Sequence, residues 1–228
     1  MIANNHCRLC YFPLTTANAY FCTECTFTLP FITNYCSSCA LPTNTPLTTC
    51  GHCQKTPYFF DNAFSLFEYT GQIQTLIHQF KANQLINLNQ LQMWLFSAYY
   101  HKFNERKIDA LIPIPSSIKS IIKRGHVPAQ TLASLLSHRT SLPIHTNLFS
   151  KRWFTPSQKN RNKQSRKHSQ QFKPHQQRIE RLPKTSRILL IDDVMTTGES
   201  ANEIARHLKA AGIQQVDVLT IARTPLKH

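Results

Sequence analysis

The sequence predicts an α/β protein built on a doubly wound, mostly parallel sheet, preceded by a small N-terminal zinc-ribbon module. Three observations carry this. All eight cysteines lie between Cys7 and Cys53, in four CxxC pairs. Beyond them, short apolar runs of strand type alternate with amphipathic helical stretches, the order that produces parallel sheets with helices on their faces. Charge is as uneven as the cysteines: residues 151–187 carry twelve Lys and Arg against one acid, Glu180, whereas the first 60 residues hold only Arg8, Glu24 and Lys55. These shifts divide the chain into a cysteine-rich module (1–58) and a body (59–228) interrupted by a basic insert at about 151–187.

At 228 residues with 41% hydrophobic content the chain is long enough to bury a proper core. No run approaches the ~18 apolar residues of a membrane span, so no transmembrane segment is expected. The start, "MIANNHCRLCYFPL", lacks a basic region followed by an apolar one; no signal peptide is expected, and the predicted location is cytoplasmic. A net charge of +15 points to an anionic partner rather than to a particular fold.

The cysteine pairs are Cys7/Cys10, Cys22/Cys25, Cys36/Cys39 and Cys50/Cys53, separated by 11, 10 and 10 residues. A CxxC knuckle presents two thiolates to one metal, and two knuckles complete a tetrahedron. The expectation is two Cys₄ sites holding about two structural zinc ions, with no open coordination position for catalysis. A disulfide framework suits a secreted chain, and a redox-active CxxC sits singly beside a βαβ unit. Sequential pairing of the knuckles, first with second and third with fourth, is the simpler arrangement, and crossed pairing is equally permitted. His6 and His52 flank ligands and read as bystanders beside eight thiolates. So polar a segment draws its folding energy from the metal.

In the body, "GQIQTLIHQFKAN" sets Ile73, Leu76, Ile77 and Phe80 on one helical face, and residues 88–101 continue as a second helix. "IDALIPIP" is a short apolar strand ended by prolines. "PAQTLASLLSHR" is a helix with Pro128 in its first turn. "RILLID" is a buried strand, "ESANEIARHLKAAG" a helix terminated by Gly212, and "QVDVLTIAR" a last strand. Ligands of such sheets lie beyond the carboxyl ends of the strands, where Asp192 and Asp193 fall.

The stretch "RILLIDDVMTTGES" therefore carries the chemistry. Backbone N–H groups from Met195 to Ser200, at a strand-to-helix turn, suit an anion; Gly198 permits a tight curl, and Thr196, Thr197 and Ser200 add hydroxyl donors. The two carboxylates repel phosphate but suit neighbouring sugar hydroxyls or a bridging magnesium. The expected ligand joins a ribose to a phosphate. Helix capping alone needs one acid or threonine rather than the whole set. A Walker loop is excluded for want of Gly-Lys-Ser/Thr. In a phospho-acceptor receiver domain the acidic pair follows the first strand, not one near the C-terminus.

"ILLIDDVMTTGES" resembles the phosphoribosyl-pyrophosphate (PRPP) signature of type I phosphoribosyltransferases. With the four CxxC knuckles, "YTGQIQTLIHQFKAN" and "DALIPIPSSIKSIIKRGH", nearly the whole chain resembles the ComF family of competence proteins, with a phosphoribosyltransferase-like domain behind a double zinc ribbon. The resemblance implies PRPP binding by Asp192, Asp193, Val194, Met195, Thr196, Thr197, Gly198, Glu199 and Ser200: the acids on the ribose hydroxyls, and the loop from Met195 to Ser200 around the 5′-phosphate. It implies a pyrophosphate loop at Pro115, Ser116 and Ser117, reached through Pro113 and Ile114, where Lys123 and Arg124 can neutralise charge; taken alone, that pair reads as solvated surface. Magnesium would accompany PRPP. The insert falls where the family carries a hood, with Gln158, Arg166 and Phe172 near the family's pattern. Two departures stand out: "RGHVPAQ", where the family follows Arg-Gly with an aromatic and an Asn-Gln pair, and Ser169, where it has Asn. Neither touches the PRPP signature, and no nucleobase pocket is identified.

Charge runs are often solvated faces. This one interleaves Trp153, Phe154 and Phe172 with cations and glutamines, the combination with which sequence-tolerant binders hold single strands. Lys159, Arg161, Lys163, Arg166 and Lys167 are the candidate nucleic-acid contacts. The leading expectation is a competence factor handling incoming single-stranded DNA, with a PRPP-type or nucleotide-binding site and other competence or DNA-uptake proteins as partners. The alternative is an active phosphoribosyltransferase, transferring 5-phosphoribosyl from PRPP to an acceptor the sequence does not identify. Catalytic residues are not assigned, because such chemistry rests on positioning and charge neutralisation. Zinc-ribbon transcriptional regulation ranks last, for want of a recognition helix.

Overall fold

In the computed structural model, which describes residues 6–7, 9–14, 21–82, 88–152 and 171–225, the body is organised on a four-stranded parallel sheet. Its strands are β1 (Asn62–Glu68), β2 (Ala110–Pro113), β5 (Arg187–Met195) and β6 (Gln215–Arg223), in the order β1-β6-β5-β2. A two-stranded antiparallel hairpin, β3 (Phe149–Lys151) and β4 (Phe172–Pro174), flanks the basic insert.

Alternation along the strands separates two cores. Leu189 and Ile191 face one side, with Leu219 and Ile221 beside them. That side is covered by α3 (Gly71–Lys81), α4 (Leu88–Phe103) and α6 (Pro128–Thr140), through Ile73, Ile77, Leu95, Leu132 and Leu136. Ile188, Leu190, Val216 and Val218 face the other side, against α8 (Glu199–Ala210), the hairpin and α7 (Gln176–Ile179). The doubly wound arrangement follows from the sequence order, and β6 starts and ends where the apolar run does.

Three of the departures from the sequence reading bear on the sheet and the site. Strand β5 continues three residues past "RILLID" to Met195, so Asp192 and Asp193 lie within the sheet, with Asp192 in register with Thr220. Strand β1, absent from the reading, pairs with β6 along its whole length. It carries a buried Ser65 hydroxyl that meets Thr220 Oγ1 at 2.6 Å, which conceals its strand character in the sequence. The segment after the pyrophosphate loop forms a short helix, α5 (Ile118–Arg124). The Ser117 side chain caps its start and Gly125, at φ 76°, ends it.

The cysteine module, with its single-turn helices α1 (Thr23–Phe27) and α2 (Gly51–Lys55), closes the open edge of β1. Ile32 N–H donates to Leu66 O at 2.9 Å, Glu68 N–H to Pro30 O at 2.9 Å, and Ala63 N–H to Ser37 O at 2.8 Å. An unpaired sheet edge invites aggregation; here the module covers it.

Candidate functional site

At the carboxyl ends of β5 and β6 lies a cavity of about 200 Å³. Its walls include Asp192, the run from Val194 to Ala201, Ile114, Gln171, Val218 and Thr220. Eight of the nine residues expected to meet PRPP line this one space, Asp193 being the ninth. Gly198 caps α8 at φ +79°, and a Cβ there would stand 3.0 Å from the Tyr58 ring. Backbone geometry and packing both demand glycine at this turn. Thr197 Oγ1 accepts from Glu199 N–H at 3.3 Å, one of the donors left over at the start of α8.

Asp193 is turned elsewhere: its Oδ2 lies 3.0 Å from Lys81 Nζ, at the end of α3. Asp192 sits between competing influences. Burial, then the adjacent Asp193 carboxylate, raise its pKa from 3.8 to about 8, against the smaller pulls of Lys81 and Lys151. Of the two adjacent acids, Asp192 is the one whose surroundings favour the protonated form.

The expected pyrophosphate loop enters the site through Ile114. Pro115, Ser116 and Ser117 lead from it into α5, whose last turn carries Lys123 and Arg124. The β3–β4 hairpin reaches the cavity at Gln171. Glu203 of α8 accepts from Gln171 N–H and Phe172 N–H, both at 3.0 Å, fixing the returning strand beside the cavity. Lys159, Arg161, Lys163, Arg166 and Lys167 lie outside the described residues, as do Gln158 and Ser169. Lys81, Glu203 and Gln171 escaped the sequence reading. Lys81 stands inside the quoted "FKAN" stretch, the one signal that could have marked it.

The cysteines gather as sequential pairs: Cys7, Cys10, Cys22 and Cys25 in one group, Cys36, Cys39, Cys50 and Cys53 in the other, with all sulfurs of a group within 4.8 Å of one another. Cys10–Cys22 and Cys39–Cys50 stand 3.7 Å apart, and Cys36–Cys53 3.8 Å. A metal with ~2.3 Å bonds to four tetrahedral thiolates separates them by about 3.8 Å, far from a ~2.05 Å disulfide. Backbone N–H groups support the sulfurs, Cys25 donating to Cys22 Sγ at 3.4 Å and Cys50 to Cys36 Sγ at 3.2 Å. Each group fits one metal ion with all four positions filled.

Residues 94–227 match the phosphoribosyl transferase domain family. The DNA utilization protein YhgH of Salmonella typhi is 24% identical over 225 residues, covering 96% of both chains. Competence protein F of Haemophilus influenzae is 25% identical over 193 residues, covering 83% of this chain and 84% of that one. Among solved structures, a purine phosphoribosyltransferase from Pyrococcus horikoshii is similar over 59% of this chain and 83% of its own, at 16% identity and a TM-score of 0.35. With the signature loop at the sheet's carboxyl end and two cysteine tetrads in front, the chain belongs to the phosphoribosyl transferase domain family and is a homologue of the ComF-type competence and DNA-utilization proteins.

Proposed function

We propose that this protein serves competence or DNA utilization in the cytoplasm, binding PRPP or a related phosphoribosyl ligand in the cavity and single-stranded DNA on the basic insert. The observation that carries the reading is the wall of that cavity: Asp192 faces the same space as the turn from Met195 to Ser200. A carboxyl group matches ribose hydroxyls, and free N–H groups at the start of a twelve-residue helix match a phosphate. Asp192 would be the residue to hold a magnesium ion accompanying PRPP, whose charge would favour its ionised form. Pro115, Ser116 and Ser117, with Lys123 and Arg124 behind them, are assigned to the pyrophosphate. The two cysteine tetrads are assigned structural zinc, and the proposed division into residues 1–58 and 59–228 separates scaffold from ligand site.

The names of the relatives, which speak of competence and DNA utilization, support the DNA role. The decisive experiment is calorimetric titration with PRPP, with and without magnesium. Magnesium-assisted binding, lost in Asp192→Asn/Asp193→Asn, supports the site assignment; no binding by the folded protein refutes it. Turnover of bound PRPP with a nucleobase or amine would move the protein from DNA handling with a phosphoribosyl-ligand site to active phosphoribosyl transfer.

A further inference from the structure

The phosphate loop is held from behind by the cysteine module. Arg223, the last residue of β6, is 2% exposed, and its hydrogen-bond partners among the described residues are backbone carbonyls. Its Nε donates to Cys39 O at 2.9 Å, inside the second cysteine tetrad. Its Nη1 donates to Met195 O at 3.0 Å, to Thr196 O, and to Thr224 O at 3.1 Å. Burying a guanidinium is costly unless its donors are satisfied, and the rigid fork of arginine can meet several carbonyls at once.

Tyr58 holds the next carbonyl. Its hydroxyl donates to Thr197 O at 2.8 Å and meets His52 Nε2 at 3.2 Å, His52 lying between the ligands Cys50 and Cys53. Its ring stacks on Phe60 at 4.6 Å and presses against Gly198. The carbonyls of residues 196 and 197 are thus held by side chains that rest on the module, while the Met195 carbonyl is shared between Arg223 and the Thr224 backbone N–H at 3.0 Å. In a planar trans peptide the N–H points opposite to the C=O, so the N–H groups of Thr196, Thr197 and Gly198 are turned the other way, and all three residues line the cavity.

We infer that the second cysteine tetrad is a positioning element of the phosphate loop, acting through Arg223 and Tyr58. A metal on Cys36, Cys39, Cys50 and Cys53 fixes the Cys39 carbonyl and the turn that carries His52; those groups fix Arg223 and Tyr58, which orient the loop's N–H groups. The inference rests on the proposed reading that this loop takes a 5′-phosphate. Among the described residues the first tetrad makes no hydrogen bond to the loop, so the coupling belongs to one metal of the two. Binding free energies couple reciprocally: a sugar phosphate in the cavity must tighten the second metal, and that metal must tighten the sugar phosphate.

The test uses the metal-loaded full chain and ribose 5-phosphate, which lacks the metal-chelating pyrophosphate. Calorimetry first establishes that ribose 5-phosphate binds. The two metals are then stripped by equilibrium competition with a chromogenic chelator, with and without saturating ribose 5-phosphate. The expected result is that one metal needs about five-fold or more chelator in its presence, while the other is unmoved. Tyr58→Phe retains the ring on Phe60 and Gly198 but loses the hydroxyl; it should keep both metals, bind ribose 5-phosphate roughly five-fold more weakly, and shrink the protection of that one metal. Arg223→Lys, which keeps charge but not the fork, should do the same more severely.

Binding of ribose 5-phosphate without any shift in chelator competition overturns the inference while leaving the loop reading intact. So does a Tyr58→Phe protein with undiminished protection. Failure of both ribose 5-phosphate and PRPP to bind overturns the loop reading, and the inference with it.

Discussion

Lys81 Nζ lies 3.0 Å from Asp193 Oδ2, an ion pair that joins the end of α3 to the acidic pair of β5. Both side chains are largely shielded, at 23% and 10% exposure, so the pair acts at lower dielectric than a surface bridge. It sets a cation beside the two adjacent acids of β5. Lys81→Met should weaken PRPP binding about ten-fold, equivalent to about 1.4 kcal/mol, and steepen its dependence on magnesium. Calorimetry across a magnesium series measures both. Equal affinities for variant and parent at every magnesium concentration would remove Lys81 from the site.

Asp192 gives the site a pH signature. Burial, and then Asp193, raise its pKa to about 8 in the folded chain, while the unfolded chain titrates near ~3.9. Between those values the folded state holds a proton that the unfolded state has lost, so this group makes stability fall as pH rises from about 4 to about 8. Asp192→Asn should abolish that decline, so that the unliganded variant gains stability on the parent as pH rises from 5 to 8. Chemical denaturation at pH 5 and pH 8 decides it. A variant whose stability difference from the parent is the same at both pH values would show that Asp192 ionises normally.

The start of β4 hangs on Glu203. Its carboxylate accepts the N–H groups of Gln171 and Phe172, and charge-assisted bonds of this kind are each worth about 1.5–3 kcal/mol. Glu203→Ala should raise amide exchange at residues 171 and 172 and lower stability by roughly 2 kcal/mol. Glu203→Gln, which keeps one acceptor, should fall between. Hydrogen exchange resolved to that strand is the measurement; unchanged protection in the alanine variant would mean that the strand is held from the β3 side.

What could be read from the sequence was chemistry that is local in the chain. The knuckles announce themselves because their ligands sit three residues apart. The loop from Asp192 to Ser200 supplies acids, glycine and hydroxyls in one continuous run. Sequential pairing of the knuckles was one of two options, and folding chose it by bringing Cys10 to Cys22 and Cys39 to Cys50. Lys81, Glu203 and Arg223 were not legible as site residues because each meets its partners only after the sheet has assembled. Lys81 looks like the end of any helix, and Arg223 like the polar end of a strand, until its guanidinium is followed to Cys39. Strand β1 was missed for a related reason: Ser65 reads as solvent-facing until Thr220 arrives beside it.

The two tetrads should differ in what their loss costs. Metal analysis should find about two ions per chain, one for each four-sulfur group. Cys10 is exposed whereas Cys36 is fully buried, and the second tetrad is tied to β1 through Ser37 and to Arg223 through Cys39. Cys10→Ser should lose one ion and leave most of the body's stability. Cys36→Ser should lose one ion and lower the melting temperature by several degrees more, about 1–2 kcal/mol in a chain of this size. Equal losses would show that the module stabilises the body only at the contacts both variants keep.

The DNA role can be tested through charge alone. Lys159, Arg161, Lys163, Arg166 and Lys167 lie outside the described residues, but the electrostatics of a single strand need no coordinates. Each phosphate contact releases counterions and adds about 0.7 to the slope of log affinity against log salt. Replacing all five with Ala should flatten that slope by up to about 3.5 if every one meets a phosphate, with the PRPP titration unchanged. Fluorescence anisotropy of a labelled oligonucleotide from low to moderate salt gives the slope. A flattening confined to the five-fold variant places the strand on the insert. A slope that stays as steep as the parent's places it elsewhere on a chain whose net charge of +15 leaves other cationic surface to hold it.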